Sequence, residues 1–187
     1  MRKDKKKLFG KTCLVLLSLI FVMIISCFIV FFKTTADAKL DKRKLVFGEN
    51  LSITKVYDKN GLEFDSDEVF GGKIYVKSED IPSLVKEAFV AVEDKRFFKH
   101  NGVDYIRVFG AIVSNIKSGK FSQGASTISQ QLIKNTHLTN EKTLPRKLKE
   151  IKLAYLLENN FSKDEILELY LNNIYFGNGC YAVSTAR

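Results

Sequence analysis

Polar and apolar positions change pattern three times along the chain. From Thr12 to Phe32, 21 consecutive positions carry no charge, enough to span the hydrocarbon core of a bilayer as one helix. Thr34 to Lys44 is polar and reads as a short stalk. Leu45 to Tyr57 mixes β-branched and polar residues, Asp58-Lys59-Asn60-Gly61 is a turn signal, and Val69 to Val76 is strand-like around Gly71-Gly72. These segments predict a small β element. From Ser78 onward apolar residues recur at helical spacing. Asp80 is the expected cap of a helix with Pro82 in its first turn, running to Glu93. Asp104 caps the next, with Ile106, Phe109, Ile112, Val113 and Ile116 as its apolar stripe and Gly119 as its stop. A glycine-containing loop, 119–125, leads to a further helix after Ser126. Thr143 caps a long helix with Pro145 in its first turn, and Ser162-Lys163-Asp164-Glu165 is a capping box for the last. The outer part is mainly α.

Charge alters the picture only at one end. The net charge of the 187 residues is +9. Six basic residues and Asp4 give residues 1–11 a net +5, which leaves only +4 for the rest. The basic balance therefore belongs to the tail and is poor support for nucleic-acid binding. Basic residues ahead of an apolar span predict a cytoplasmic N-terminus and a single pass. Ala36-Asp37-Ala38 resembles a signal-peptidase site and Ile24-Ile25-Ser26-Cys27 a lipoprotein box, but the apolar run is too long for either, and an uncleaved anchor is expected. The division is 1–11 basic tail, 12–32 span, 33–57 stalk and start of the β element, and 58–187 the outer domain. Cys13 and Cys27 lie in or beside the span and Cys180 is alone outside it, so the outer domain stands on its core without a disulfide. Cys180 itself reads as a small buried hydrophobe.

Four polar constellations carry candidate chemistry. In Ala91 to Gly102, an apolar run delivers Glu93 and Asp94, and Glu93, Phe97 and His100 share a face if the segment is helical. A carboxylate at the end of a buried run is where desolvation moves a pKa toward a general base's range. Alone, the stretch reads rather as a helix end with Phe97 in the core and Gly102 as the stop. Thr127, Gln131 and Lys134 share one face of the helix after Ser126, a candidate anion or sugar site that otherwise reads as a capped surface helix. Arg146 and Glu150 lie one turn apart, either a surface ion pair or a carboxylate held ionised at a cleft. Lys163 to Asn173 reads as an amphipathic helix, and His137 as a surface residue.

Together these segments resemble glycosyltransferase family 51, the peptidoglycan glycosyltransferase domain of class A penicillin-binding proteins and monofunctional transglycosylases. The resemblance runs from about Ile81 to Arg187. Glu93-Asp94-x-x-Phe97-x-x-His100-x-Gly102 matches the first motif. Gly124-Ala125-Ser126-Thr127-Ile128-Ser129-Gln130-Gln131 matches the second, with Ala125 in place of a second glycine. Arg146-Lys147-x-x-Glu150 matches the third, and Lys163-x-x-Ile166-Leu167-Glu168-x-Tyr170-Leu171-Asn172 the fourth. Four motifs in family order behind one anchor are specific where any one is not.

The resemblance implies a lysozyme-like helical domain on the outer membrane leaflet, acting on lipid II and on undecaprenyl-pyrophosphate-linked glycan, alongside other cell wall synthesis proteins. It implies Glu93 and Glu150 as the catalytic carboxylates, with Glu93 the base on the acceptor hydroxyl. Lys134, Arg146 and Lys142 would face the pyrophosphate, Lys142 standing where the family more often has arginine. Ser126, Thr127 and Gln131 would bind sugar or phosphate oxygens, and Asp94, Phe97 and His100 would position Glu93. The resemblance leaves room for a divalent cation, Mg or Mn, near Glu150, and implies no organic cofactor. The chain stops at Arg187 in what resembles the start of the family's last motif, so an incomplete C-terminal lobe is expected. Two alternatives remain at this point: a membrane-anchored scaffold without activity, and a lysozyme-like glycan hydrolase.

Overall fold

The computed structural model describes residues 2–47, 56–57, 59–60, 63–64, 75–119, 124–177 and 180–183. It divides into two compact units, Met1–Ala38 and Lys39–Arg187. The first is essentially one helix, α1 (Arg2–Thr35). Its Leu14–Thr35 segment is long and apolar enough to cross a membrane: 22 residues rise about 33 Å, against a hydrocarbon core of about 30 Å.

The second unit is mainly α, as its periodicity implies and in keeping with a lysozyme-like domain. It contains α2 (Lys42–Phe47), α3 (Ser83–Glu93), α4 (Tyr105–Ser118), α5 (Ile128–His137), α6 (Leu144–Asn160) and α7 (Lys163–Leu171). The antiparallel ribbon β1–β2 pairs Val56 with Phe64 and Tyr57 with Glu63 across the expected turn, and β3–β4 pairs Tyr175 with Tyr181. Of the strand-like Val69–Val76, residues 69–74 lie outside the described residues. Tyr75 and Val76 belong to no strand, and Val76 is bonded in both directions to the amide of Asn172 (2.9 and 2.8 Å). The side chain of Cys180 also lies outside the described residues.

Helix ends follow their local signals in most places. Asp104 Oδ1 accepts from the N–H groups of Ile106 and Arg107, and Gly119 closes α4 in the left-handed region at φ 63°. Thr143 caps α6 with Pro145 in its first turn, and Ser162 and Glu165 form a reciprocal capping box on α7. Asp80 is an exception: it ends a 3-10 turn, Ser78–Asp80, and Pro82 occupies the cap position of α3. A proline there has no side-chain acceptor, so α3 starts without a side-chain cap.

The hub is α5, which packs on α2, α6 and α7. Ile128, Leu132 and Ile133 on α5, Leu157 on α6 and Ile166 and Leu171 on α7 are fully buried, each contributing about 1.5–3 kcal/mol by leaving water. Residues 33–57, expected as a stalk and the start of the β element, also contribute a helix to the second unit. Lys42–Phe47 is helical, Leu45 is fully buried, and Asn173 Nδ2 donates to the Leu45 carbonyl at 2.7 Å. His137, read as a surface residue, accepts from the Asp41 N–H at 3.0 Å and so anchors the start of α2. The stripe of α4 departs most: Ile106, Phe109, Ile112 and Ile116 are all exposed, and among that helix's residues only Ala111 is buried.

Candidate active site

Glu93 is the last residue of α3, and the chain turns immediately after it. Asp94 leaves the helix at φ −154° while its N–H still bonds the Val90 carbonyl. The Asp94 side chain is fully buried. Its Oδ2 takes a ring N–H from His100 at 2.9 Å and the backbone N–H of Ile128 at 3.1 Å. The second of these bonds satisfies one of the free N–H groups at the start of α5, so the acid next to Glu93 joins two motifs. Phe97 is fully buried, edge-on to His100, with the Lys163 ammonium 4.4 Å from its ring centroid. Lys163 Nζ also donates to the His100 carbonyl and to Glu158, whose carboxylate accepts from Ser129 Oγ. These contacts fix the first-motif loop against α5 and α6.

The Glu93 carboxylate points to α5. Gln131 Nε2 donates to Glu93 Oε2 at 2.8 Å, and Tyr170 on α7 donates to Gln131 Oε1 at 3.2 Å. The Arg107 guanidinium of α4 bonds the Glu93 backbone carbonyl. Lys134 follows Gln131 by one turn on the same helix and has no hydrogen-bond or ion-pair partner among the described residues. Burial first, and then the negative charge of Glu93, push the Tyr170 phenol above its ordinary range, so Tyr170 remains a donor.

A second group forms at the start of α6. Glu150 is 2% exposed. Arg146 donates to its Oε2 at 2.6 Å, Lys147 bonds its Oε1, and Lys147 Nζ also donates to Ser126 Oγ at 3.0 Å. The pair Arg146–Glu150 is therefore a buried, doubly countered carboxylate and not a solvated i, i+4 bridge. Arg146 Nε is buried with no partner among the described residues, a donor left over from the carboxylate. Both Glu150 oxygens are engaged by cations, and no group of three His, Cys, Asp or Glu among the described residues could hold a metal. The geometry does not fit a divalent cation at Glu150.

Thr127, expected as a substrate contact, is placed inside the fold. It is fully buried and caps α5: its Oγ1 accepts from the Gln130 N–H and donates to the Gly102 carbonyl at 2.6 Å. Gln130 returns the bond to the Thr127 N–H, so of the two adjacent glutamines the first closes a capping box and the second faces Glu93. Ser126, half-buried, stays at the site through Lys147. Lys142 is exposed in the loop before α6 and joins neither group. Sequence reasoning named Lys147 and Tyr170 only as motif positions, without a role, and did not single out Arg107. Lys147 follows Arg146 and lies one turn before Glu150, so i, i+3 spacing was the available signal.

Residues 69–187 match the family model described as Transglycosylase. The chain belongs to the transglycosylase family. It is 44% identical over 187 residues to penicillin-binding protein 1A/1B of Bacillus subtilis (strain 168), covering 99% of this chain and 20% of that protein. Penicillin-binding protein 1A of Clostridium perfringens (strain 13 / Type A) is 53% identical over 136 residues, covering 70% of this chain and 20% of the relative. Penicillin-binding protein 1F of Bacillus subtilis is 40% identical over 182 residues, 97% of this chain and 24% of the relative. The chain thus spans about a fifth of the length of the curated relatives it matches. The transglycosylase motifs occupy the two groups described above: Glu93 with Gln131, and Glu150 with Arg146, Lys147 and Ser126.

Proposed function

We propose that this transglycosylase domain polymerises lipid II into β-1,4 glycan for the bacterial cell wall. The reaction is an inverting displacement. The 4-hydroxyl of the acceptor N-acetylglucosamine attacks C1 of the donor N-acetylmuramic acid. The O4–C1 bond forms as the C1–oxygen bond to undecaprenyl pyrophosphate breaks, and Glu93 takes the hydroxyl proton. Pyrophosphate is already a good leaving group, so cations beside it serve better than a general acid. The observation that carries the reading is the pairing of Glu93, under the neutral Gln131 amide of the hub helix α5, with the cation-rich start of α6, which packs on that hub. Lys134, Arg146 and Lys147 supply that charge, and Lys142 adds to it from the loop. Glu150 holds Arg146 and Lys147 in place and donates no proton. Asp94, Phe97 and His100 hold the turn that aims Glu93. A hydrolase of finished glycan has no pyrophosphate for these cations to meet.

The substrate is lipid-linked, and α1 supplies a membrane anchor, with its basic tail on the cytoplasmic side and the second unit outside. The exposed Ile106, Phe109, Ile112 and Ile116 face of α4 suits contact with a lipid surface, since a contiguous apolar face of this kind marks an interaction surface. The test is polymerisation of purified lipid II by the full chain in vesicles. Glycan polymer from the wild type and none from Glu93→Gln is expected. Release of muropeptides from finished sacculi without polymer would overturn the reading.

A further inference from the structure

We infer that Tyr170 is a positioning residue for Glu93, acting through the amide of Gln131 by holding its NH2 end against the carboxylate. The inference rests on the reading of Glu93 as the base.

A glutamine amide has two ends of nearly equal shape and opposite hydrogen-bonding sense. Only its NH2 end can face an ionised carboxylate favourably, since the oxygen end would set acceptor against acceptor. Gln131 Nε2 lies 2.8 Å from Glu93 Oε2, and Gln131 Oε1 receives the Tyr170 hydroxyl at 3.2 Å. Rotating the amide by half a turn would set its oxygen against the Glu93 carboxylate, while the Tyr170 oxygen would then accept from Nε2. Tyr170 is itself enclosed by packing. It is 2% exposed, and its ring packs edge-on against Phe89, centroids 6.2 Å apart. Phe89 lies one helical turn before Glu93 on α3. The same two elements, α3 and α7, therefore grip both ends of the relay, and α5 carries its middle. The phenol, pushed above its ordinary range, keeps its proton throughout the pH range in which a carboxylate titrates.

An N–H donor on a carboxylate favours the ionised form. The other charged groups around Glu93 do not replace it. Arg107 of α4 is bound to the backbone carbonyl, Asp94 is turned into the Ile128 and His100 contacts, and Lys134 lies one turn further along α5. Tyr170 thus acts on how the Gln131 donor meets the Glu93 carboxylate, and hardly on substrate binding.

The experiment uses the full chain in vesicles with lipid II, comparing rate–pH profiles of wild type, Tyr170→Phe, Gln131→Met and the double variant. Tyr170→Phe removes one oxygen and keeps the ring. We expect kcat on the acid limb of the profile to fall about 3- to 10-fold, the worth of one neutral hydrogen bond, with KM unchanged. The acid limb should move to higher pH by about 0.5–1 unit. In the Gln131→Met background Tyr170→Phe should add nothing. An unmoved acid limb, or losses that multiply in the double variant, would overturn the inference. The limb's position does not depend on how much enzyme is folded, so a stability loss in Tyr170→Phe leaves the result decisive. Glu93→Gln, run in parallel, separates the two claims. Full polymerisation by Glu93→Gln removes the base and this inference with it, whereas an inactive Glu93→Gln with an unmoved Tyr170→Phe limb removes the inference alone.

Discussion

Gly102 lies against the backbone of Ala154 so closely that a Cβ on it would stand 2.9 Å from the Ala154 carbonyl carbon and oxygen. Its φ of +88° adds a second demand for glycine. This contact seats the first-motif loop on α6, and the Gly102 carbonyl then receives the Thr127 hydroxyl. Gly102→Ala is expected to destabilise the domain by at least about 1–2 kcal/mol from the backbone conformation alone, with the steric term added. A lowered urea midpoint checks this. An unchanged midpoint would mean that the loop is not held by this contact.

Thr127 behaves as part of the same fastening. Thr127→Val should cost about 1 kcal/mol through loss of the α5 cap, and Thr127→Ser should restore most of it. KM for lipid II, measured on folded protein, should be nearly the same in all three. A rise in KM with an unchanged urea midpoint would return Thr127 to the substrate-contact role that its place in the motif suggested.

These two residues show where sequence reasoning stops. Caps written in adjacent residues were legible: Asp104 on α4, Thr143 with Pro145 on α6 and Ser162 with Glu165 on α7 are local hydrogen-bond chemistry. Partners brought by the fold were not. Nothing near Thr127 shows that its hydroxyl meets the carbonyl of Gly102, and nothing near Leu45 shows that it is buried beside Asn173. Periodicity found the α4 stripe but could not say what covers it. In the site, the pair Arg146–Glu150 was visible from spacing. Its burial, and the second cation on it, were not.

The exposed face of α4 gives a membrane prediction. Phe109 and Ile116 are 69% and 76% exposed, so replacing both with Ser should leave the urea midpoint almost unchanged. A polarity-sensitive label at position 109, in a variant lacking Cys13, Cys27 and Cys180, should report an apolar surrounding in lipid vesicles. The same label at Lys99 should report water. Equal emission at the two positions would remove α4 from the bilayer surface.

Acid should weaken the domain partly through Asp104, whose carboxylate also takes the Arg96 guanidinium at 2.8 Å. Burial acts to raise its pKa, but the Arg107 N–H and the Arg96 charge outweigh it and hold the carboxyl below its ordinary range. A lowered folded-state value means stability that is fully present above the unfolded pKa of about 3.9. That stability is lost as pH falls through the folded value. Asp104→Asn keeps a capping side chain and should flatten this acid limb of the urea midpoint. Arg96 is half-exposed, so the effect at neutral pH should be about 1 kcal/mol or less. An acid limb of unchanged slope would show that other carboxylates carry it.

Lys147 offers the sharpest check on how the cation group works. It bonds Glu150 and Ser126 together, while Arg146 alone would leave one Glu150 oxygen without a charged donor. A buried carboxylate that loses a partner is costly, so Lys147→Met should lower stability as well as activity. If the group faces pyrophosphate, the loss should also appear as weaker binding of lipid II, about 10-fold or more for a charged hydrogen bond. Lys147→Arg should recover part of the binding by keeping the charge. Lys95→Met, at an exposed position on the turn after Glu93, should do neither. Measuring the urea midpoint and the KM of these variants together divides the roles. A fall in stability with normal KM would make Lys147 a support for Glu150 only. A raised KM that Lys147→Arg repairs would place its charge against the leaving group.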